Sequence, residues 1–219
     1  MKTLMLLSAT ALSVLAALQD SRPAHKETVR LKPGDAIANF TVKSLDGKEV
    51  TLASLRGEKN DKIVVVSFWS HTCPWSRAWD AELSKIAKDY GSKNVVVAAI
   101  DSNRPGNSDG KNTDSADDIA RYHKENKLEF SVYLDQDFKV VDALGGKATP
   151  DVFVVGLDGK IRYTGQVNDM KDPMSPDKFE KNYLRDALDS VIAGKAPSMA
   201  STDPKGCSIK RDKRPPAKG

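Results

Sequence analysis

Apolar residues in this chain follow two rhythms. Val64, Val65, Val66, Phe68 and Trp69, and again Val95 to Ile100, run without alternation, as expected of strands covered on both faces of a sheet. Between them Trp75, Ala78, Trp79, Leu83, Ile86 and Tyr90 recur at helical spacing, which predicts a helix over 74–90 with Pro74 at its first turn and Gly91 as its stop. Ahead of this unit, Ala38–Val42 and Glu49–Leu52 predict two short strands turned at Asp46-Gly47, then a helical turn from Ala53 to Gly57 and a charged loop from Glu58 to Lys62. Behind it comes a polar loop over 102–113, followed by a helix from Asp114 or Ser115 to about Asn126, where Ser115 and Asp118 approximate a capping box. Phe130, Val132 and Leu134 alternate as a strand, and 136–144 predicts a short helix closed by Gly145-Gly146. Strands Val152–Val155 and Ile161–Thr164, turned at Asp158-Gly159, precede a last amphipathic helix from Pro176 to Ala193. Alternating strands and helices define an α/β fold with a central, largely parallel sheet, to which the hairpins add antiparallel edges.

Charge changes this picture only at the end. The chain of 219 residues has a formal charge of +4, but Lys205, Lys210, Arg211, Lys213, Arg214 and Lys218 against Asp212 make +5 from Lys205 on, leaving −1 elsewhere. No nucleic-acid groove is expected, and 196–219 reads as a basic, solvated tail. At the other end, Lys2, the uncharged apolar stretch Leu4–Leu15 and the small residues after it have the layout of a secretory signal over 1–17, followed by a polar linker over 18–32. The domain is then 33–195, with no transmembrane span after cleavage, and the expected location is periplasmic or secreted.

Cys73 stands where the buried strand turns into the helix, just ahead of Pro74. Unpaired backbone donors and the positive end of the helix dipole favour the thiolate there, so Cys73 is a candidate nucleophile. The other cysteine is Cys207. In an oxidising compartment the two thiols can pair, as a staple or as a resolving step; equally, Cys207 can stay free or pair with another molecule. His71 could lower the thiol's pKa by carrying charge nearby, or simply be solvated; His25 and His123 lack ligand spacing to it, so no metal site and no cofactor is expected.

These residues resemble the thioredoxin-fold redoxins. FWSHTCPWSRAW is similar to the FWATWCPPCR-type segment of exported thiol–disulfide oxidoreductases, and GDAIANFTVKSLDGKEVTLASLRG to the hairpin before it. IDSN, TPDVFVVGLDGKIRYTGQVND and the GCSIK of the tail are closer still to the peroxiredoxin-like branch of the alkyl hydroperoxide reductase/thiol-specific antioxidant type. The resemblance implies a thioredoxin-like fold, with a central mixed sheet flanked by helices and an N-terminal β-hairpin extension. It implies that Cys73 is the first cysteine of the thioredoxin CxxC, with Ser76 in place of the second, one helical turn on and able to hydrogen-bond the thiolate. Pro150 matches the cis-proline facing that cysteine, so Thr149 would offer its backbone to an extended substrate, while Trp75 shapes core and groove. A CxxC cycle is ruled out by Ser76, and Val66 stands where the peroxiredoxin signature has proline, although Ser70 keeps its place three residues before Cys73. The resemblance therefore implies an exported thiol–disulfide oxidoreductase or thiol-dependent antioxidant working through one cysteine, with a thiol- or disulfide-bearing protein, a small thiol or a peroxide as partner. The alternative is a redox-inert, polypeptide-binding module with a structural disulfide.

Overall fold

In the computed structural model, which describes residues 29–103 and 114–210, the two apolar runs sit side by side at the centre of the molecule. Strand β3 (Ile63–Phe68) pairs in parallel with β4 (Val95–Asp101), and all six β3 residues are buried. Burial on both faces is why the run does not alternate: Ile63, Val65 and Trp69 feed one core, while Val64, Val66 and Phe68 feed the other. The first core is closed by α2 (Pro74–Gly91), α3 (Ala116–Glu125) and α5 (Tyr183–Ile192) through Leu83, Ile86, Ile119, Leu184 and Leu188. The second is closed by α1 (Leu52–Leu55) and α4 (Lys139–Leu144) through Leu52, Leu55, Val140, Val141 and Leu144.

The remaining strands are β1 (Thr41–Ser44), β2 (Glu49–Thr51), β5 (Ser131–Leu134), β7 (Asp151–Val155) and β8 (Ile161–Gly165), giving the order β2-β1-β5-β4-β3-β7-β8. The sheet is mixed: β3–β4 and β4–β5 are parallel, whereas β7 runs antiparallel to β3, and the N-terminal hairpin joins through β1–β5. It is thus less parallel than element alternation suggested, because β7 follows α4 and returns in the opposite direction.

Local chemistry accounts for the shifted boundaries. The first strand begins at Thr41 rather than Ala38, since Ala36 bridges Lys160 and the Ile37 N–H donates to Gly159 O. Helix α4 begins three residues after the expected Gln136, because the Asp135 carboxylate accepts from the Val140 and Val141 N–H groups and holds 135–138 in a turn. Helix α5 begins at Tyr183, not Pro176: Asp169 Oδ1 accepts from the Glu180 and Lys181 N–H groups, and Asn182 then caps the helix by accepting from Arg185 N. The expected signal segment and the loop over 104–113 lie outside the described residues, as does 211–219.

Both ends of the described chain depart from the expected linker and tail. Arg30 forks onto Asp151, with Nη1–Oδ2 at 2.5 Å and Nη2–Oδ1 at 2.8 Å, and lies 4.6 Å over the Phe153 ring. At the other end, β9 (Cys207–Ser208) forms an antiparallel pair with β6 (Ala148–Thr149). The basic segment is folded back onto the domain as far as Lys210.

Candidate redox site

The turn after β3 and the first residues of α2 fix Cys73. It caps α2 with extended backbone, Pro74 fills the first helical position, and only 3% of Cys73 is exposed. The Thr149–Pro150 peptide is cis, and Cys73 Sγ lies 3.0 Å from Thr149 O, to which it donates when protonated. Through the β6–β9 ladder, Thr149 stands opposite Cys207, and the two thiols are in hydrogen-bond contact without a disulfide.

Burial alone would push the Cys73 thiol up. Contacts from the Cys207 thiol, the Thr149 side chain and the backbone N–H groups of Ser76 and Cys207 outweigh it, and its pKa lies below the ordinary value. Cys207 goes the other way: burial, donation to Cys73 and the neighbouring charge raise it to about 11, although the Trp75 N–H pulls it down. The first turn of α2 thus offers one donor to each sulfur, and the pair is polarised, with Cys73 as acceptor and Cys207 as proton holder.

The other expected residues take different places. Ser76 stabilises the thiolate through its backbone N–H, while its hydroxyl accepts from Ser70 N at 3.3 Å instead of reaching the sulfur. Trp75 packs at 5.6 Å on Trp79 and lies under Lys205 Nζ at 4.6 Å. His71 Nδ1 lies 2.9 Å from Asp114 Oδ1, and its ring packs 5.5 Å from Tyr122.

Asp101 and Asp114 have no signal in the sequence of a place beside the site. They bring potential ligand atoms to His71, all within 4.8 Å of one another. Asp114 also accepts from the Ser70 hydroxyl, while Asp101 is raised well above the ordinary carboxyl range by burial and by Asp114. Asp80, two helical turns from Cys73, accepts from Trp69 Nε1 at 2.7 Å and Tyr122 OH at 2.7 Å. The inward helical spacing of 73, 76, 80 and 83 was the one available signal for it.

Burial raises Asp80 from 3.8 to about 6 against those two hydrogen bonds. Between those values the folded state holds more protons than the unfolded one, so Asp80 makes the protein less stable as pH rises through that window, by up to about 3 kcal/mol. Urea titrations of the wild type and Asp80→Asn across that range check this. The wild type should lose ground relative to the variant as pH rises; parallel curves would contradict the assignment.

A buried thiol at a helix start, faced by a cis-proline loop on a mixed α/β sheet, is the arrangement of a thioredoxin-like redoxin. Residues 33–164 match the AhpC/TSA family, and the chain belongs to it. Among similar proteins, the thiol-disulfide oxidoreductase ResA of Bacillus subtilis (strain 168) is 25% identical over 138 residues, 63% of this chain and 68% of that protein. The crystal structure of a hypothetical protein from Sinorhizobium meliloti 1021 superposes with a TM-score of 0.74 at 26% identity, covering 85% of this chain and 98% of that one. That of peroxidoxin BcpB from Mycobacterium tuberculosis gives 0.53 at 16% identity, over 75% and 96%, and supports the fold alone. Among the described residues, no helix is long and apolar enough to cross a membrane.

Proposed function

We propose that this redoxin acts outside the cytoplasm through a two-thiol centre in which Cys73 attacks and Cys207 resolves. The observation that carries this reading is geometric: the β6–β9 ladder sets Cys207 opposite Thr149, whose carbonyl lies 3.0 Å from Cys73 Sγ, and contact between the sulfurs favours the thiolate on Cys73 and the thiol on Cys207. The Cys73 thiolate attacks a disulfide, forming a mixed disulfide and expelling one partner thiolate, which takes up a proton. Capture of the Cys73 sulfur in a neutral bond removes the charge that held Cys207 protonated. Cys207 then loses its proton and attacks Cys73 Sγ, expelling the second partner thiolate. The balance is one external disulfide reduced to two thiols, and two protein thiols oxidised to one disulfide. Export rests on the apolar stretch Leu4–Leu15 behind Lys2.

Family membership favours peroxide as a second oxidant. The Cys73 thiolate would take the terminal oxygen of a hydroperoxide, releasing an alcohol after protonation. Cys207 would condense with the resulting sulfenic acid, releasing water and leaving the same disulfide. An external thiol pair reduces that disulfide in either case.

Cys207→Ser tests the division of labour. Treated with hydroxyethyl disulfide, this variant should accumulate a mixed disulfide at Cys73 by mass spectrometry, and its steady turnover should fall at least about tenfold, while the wild type passes to an intramolecular disulfide. Wild-type turnover in the variant, or a wild type that never forms the internal disulfide, would sink the proposal.

A further inference from the structure

We propose that Lys205–Ile209 is a built-in occupant of the groove beside Thr149, and that it confines Cys73 to small thiols, disulfides and hydroperoxides rather than polypeptides. The inference rests on the two-thiol reading for what Cys73 does, and adds which molecules reach it.

The backbone edge at Ala148 and Thr149 is where an extended polypeptide would add itself as a strand. Here Ser208 and Cys207 of the same chain already pair with it, and Cys207 presents its thiol to Cys73. The approach is close enough to dictate the residue before the cysteine. A Cβ on Gly206 would come within 2.2 Å of Thr149 O and 2.6 Å of Thr149 C, both backbone atoms that cannot yield as a flexible side chain would.

Lys205 clamps the strand from one side. Its Nζ donates to Lys171 O at 2.9 Å and Met170 O at 3.3 Å while lying 4.6 Å over the Trp75 ring. Those carbonyls are themselves held, because Asn168 accepts from both Trp79 Nε1 and Met170 N. Farther upstream, Thr202 N donates to Thr164 O at 2.9 Å, and downstream Lys210 N donates to Asn103 Oδ1 at 2.6 Å. A strand tied on both sides of Cys207 competes at an effective concentration of order millimolar, against polypeptides that arrive from solution at far lower concentration. A small molecule, by contrast, does not have to displace the strand from the Ala148–Thr149 edge.

The test compares access to Cys73 by two reagents with the same warhead, iodoacetamide and a decapeptide bearing an iodoacetyl group, in the full chain carrying Cys207→Ser so that Cys73 is the sole thiol. Adding Gly206→Val should raise the ratio of peptide to small-reagent rates at least about tenfold, equivalent to about 1.4 kcal/mol of lost occlusion. Lys205→Ala, which removes the clamp without crowding the backbone, should raise the same ratio in the same direction and serves if Gly206→Val does not fold. An unchanged ratio in the folded variants overturns the proposal. Because labelling needs no turnover, failure here leaves the two-thiol reading intact, and failure of that reading leaves this result interpretable.

Discussion

Cys73→Ser should reduce disulfide and hydroperoxide turnover to the uncatalysed background, a loss of roughly a thousandfold or more. A serine hydroxyl at this position receives the same N–H donors but does not ionise near neutral pH, and thiol–disulfide exchange needs the anion. A purely structural role for Cys73 would not predict the accompanying change at the other thiol. Cys207 is held up partly by its bond to Cys73 and by the Cys73 charge, so in Cys73→Ser its titration, followed by ultraviolet thiolate absorbance, should move down from about 11. Turnover assays and that titration on one sample check both statements. If cells carrying Cys73→Ser behave as wild type in every redox assay, the redox-inert binding module becomes the better account.

The second large effect lies away from the sulfurs. Arg30→Ala should destabilise the fold by about 3–5 kcal/mol, because it strands the Asp151 carboxylate, 0% exposed, without its counter-charge. Burial already raises Asp151, and the Arg30 fork is what opposes that rise. Without the fork, the folded state favours a protonated Asp151, so the deficit should shrink as pH falls and the carboxyl takes up a proton. Arg30→Lys should recover only part of the loss, since an ammonium cannot reproduce the two parallel bonds. Adding Asp151→Asn to Arg30→Ala should restore part of it by removing the buried charge, and urea midpoints for the four proteins separate these cases. Asp151 also accepts from Lys147 N at 3.0 Å and directly follows Pro150, so the same ion pair braces the loop that faces Cys73.

The parts of this molecule legible in the sequence are those whose cause is local. The unbroken run before Trp69, the Cys73-Pro74 helix start and the Asp46-Gly47 turn each carry their own backbone preference, and all three stand in the structure. What stayed hidden depends on partners far along the chain. Nothing near Pro176 announces that Asp169 will capture the N–H groups of Glu180 and Lys181 and delay the helix. Nothing near Arg30 announces Asp151, so the polar stretch that holds it reads as linker. The acidic residues beside the site were invisible for the same reason. Asp101 closes an apolar run and Asp114 opens a helix, and only the fold brings them to His71. Charge likewise misled at the C-terminus, where Lys205, part of what reads as a solvated tail, donates to backbone carbonyls and lies over an aromatic ring.

The position of Cys207 on the returning strand couples oxidation to folding. It stands 134 positions after Cys73, and pairing of β9 with β6 is what holds the two thiols together in the fold. A bond between them would close a loop whose entropy in the unfolded ensemble is lower by an amount worth about 5 kcal/mol in the chain-entropy description. Every turn of a cycle through that bond would then alternate one folded structure between lower and higher stability against unfolding. The oxidised protein would resist unfolding and proteolysis better than the reduced one, making the oxidant supply of its surroundings a determinant of its lifetime.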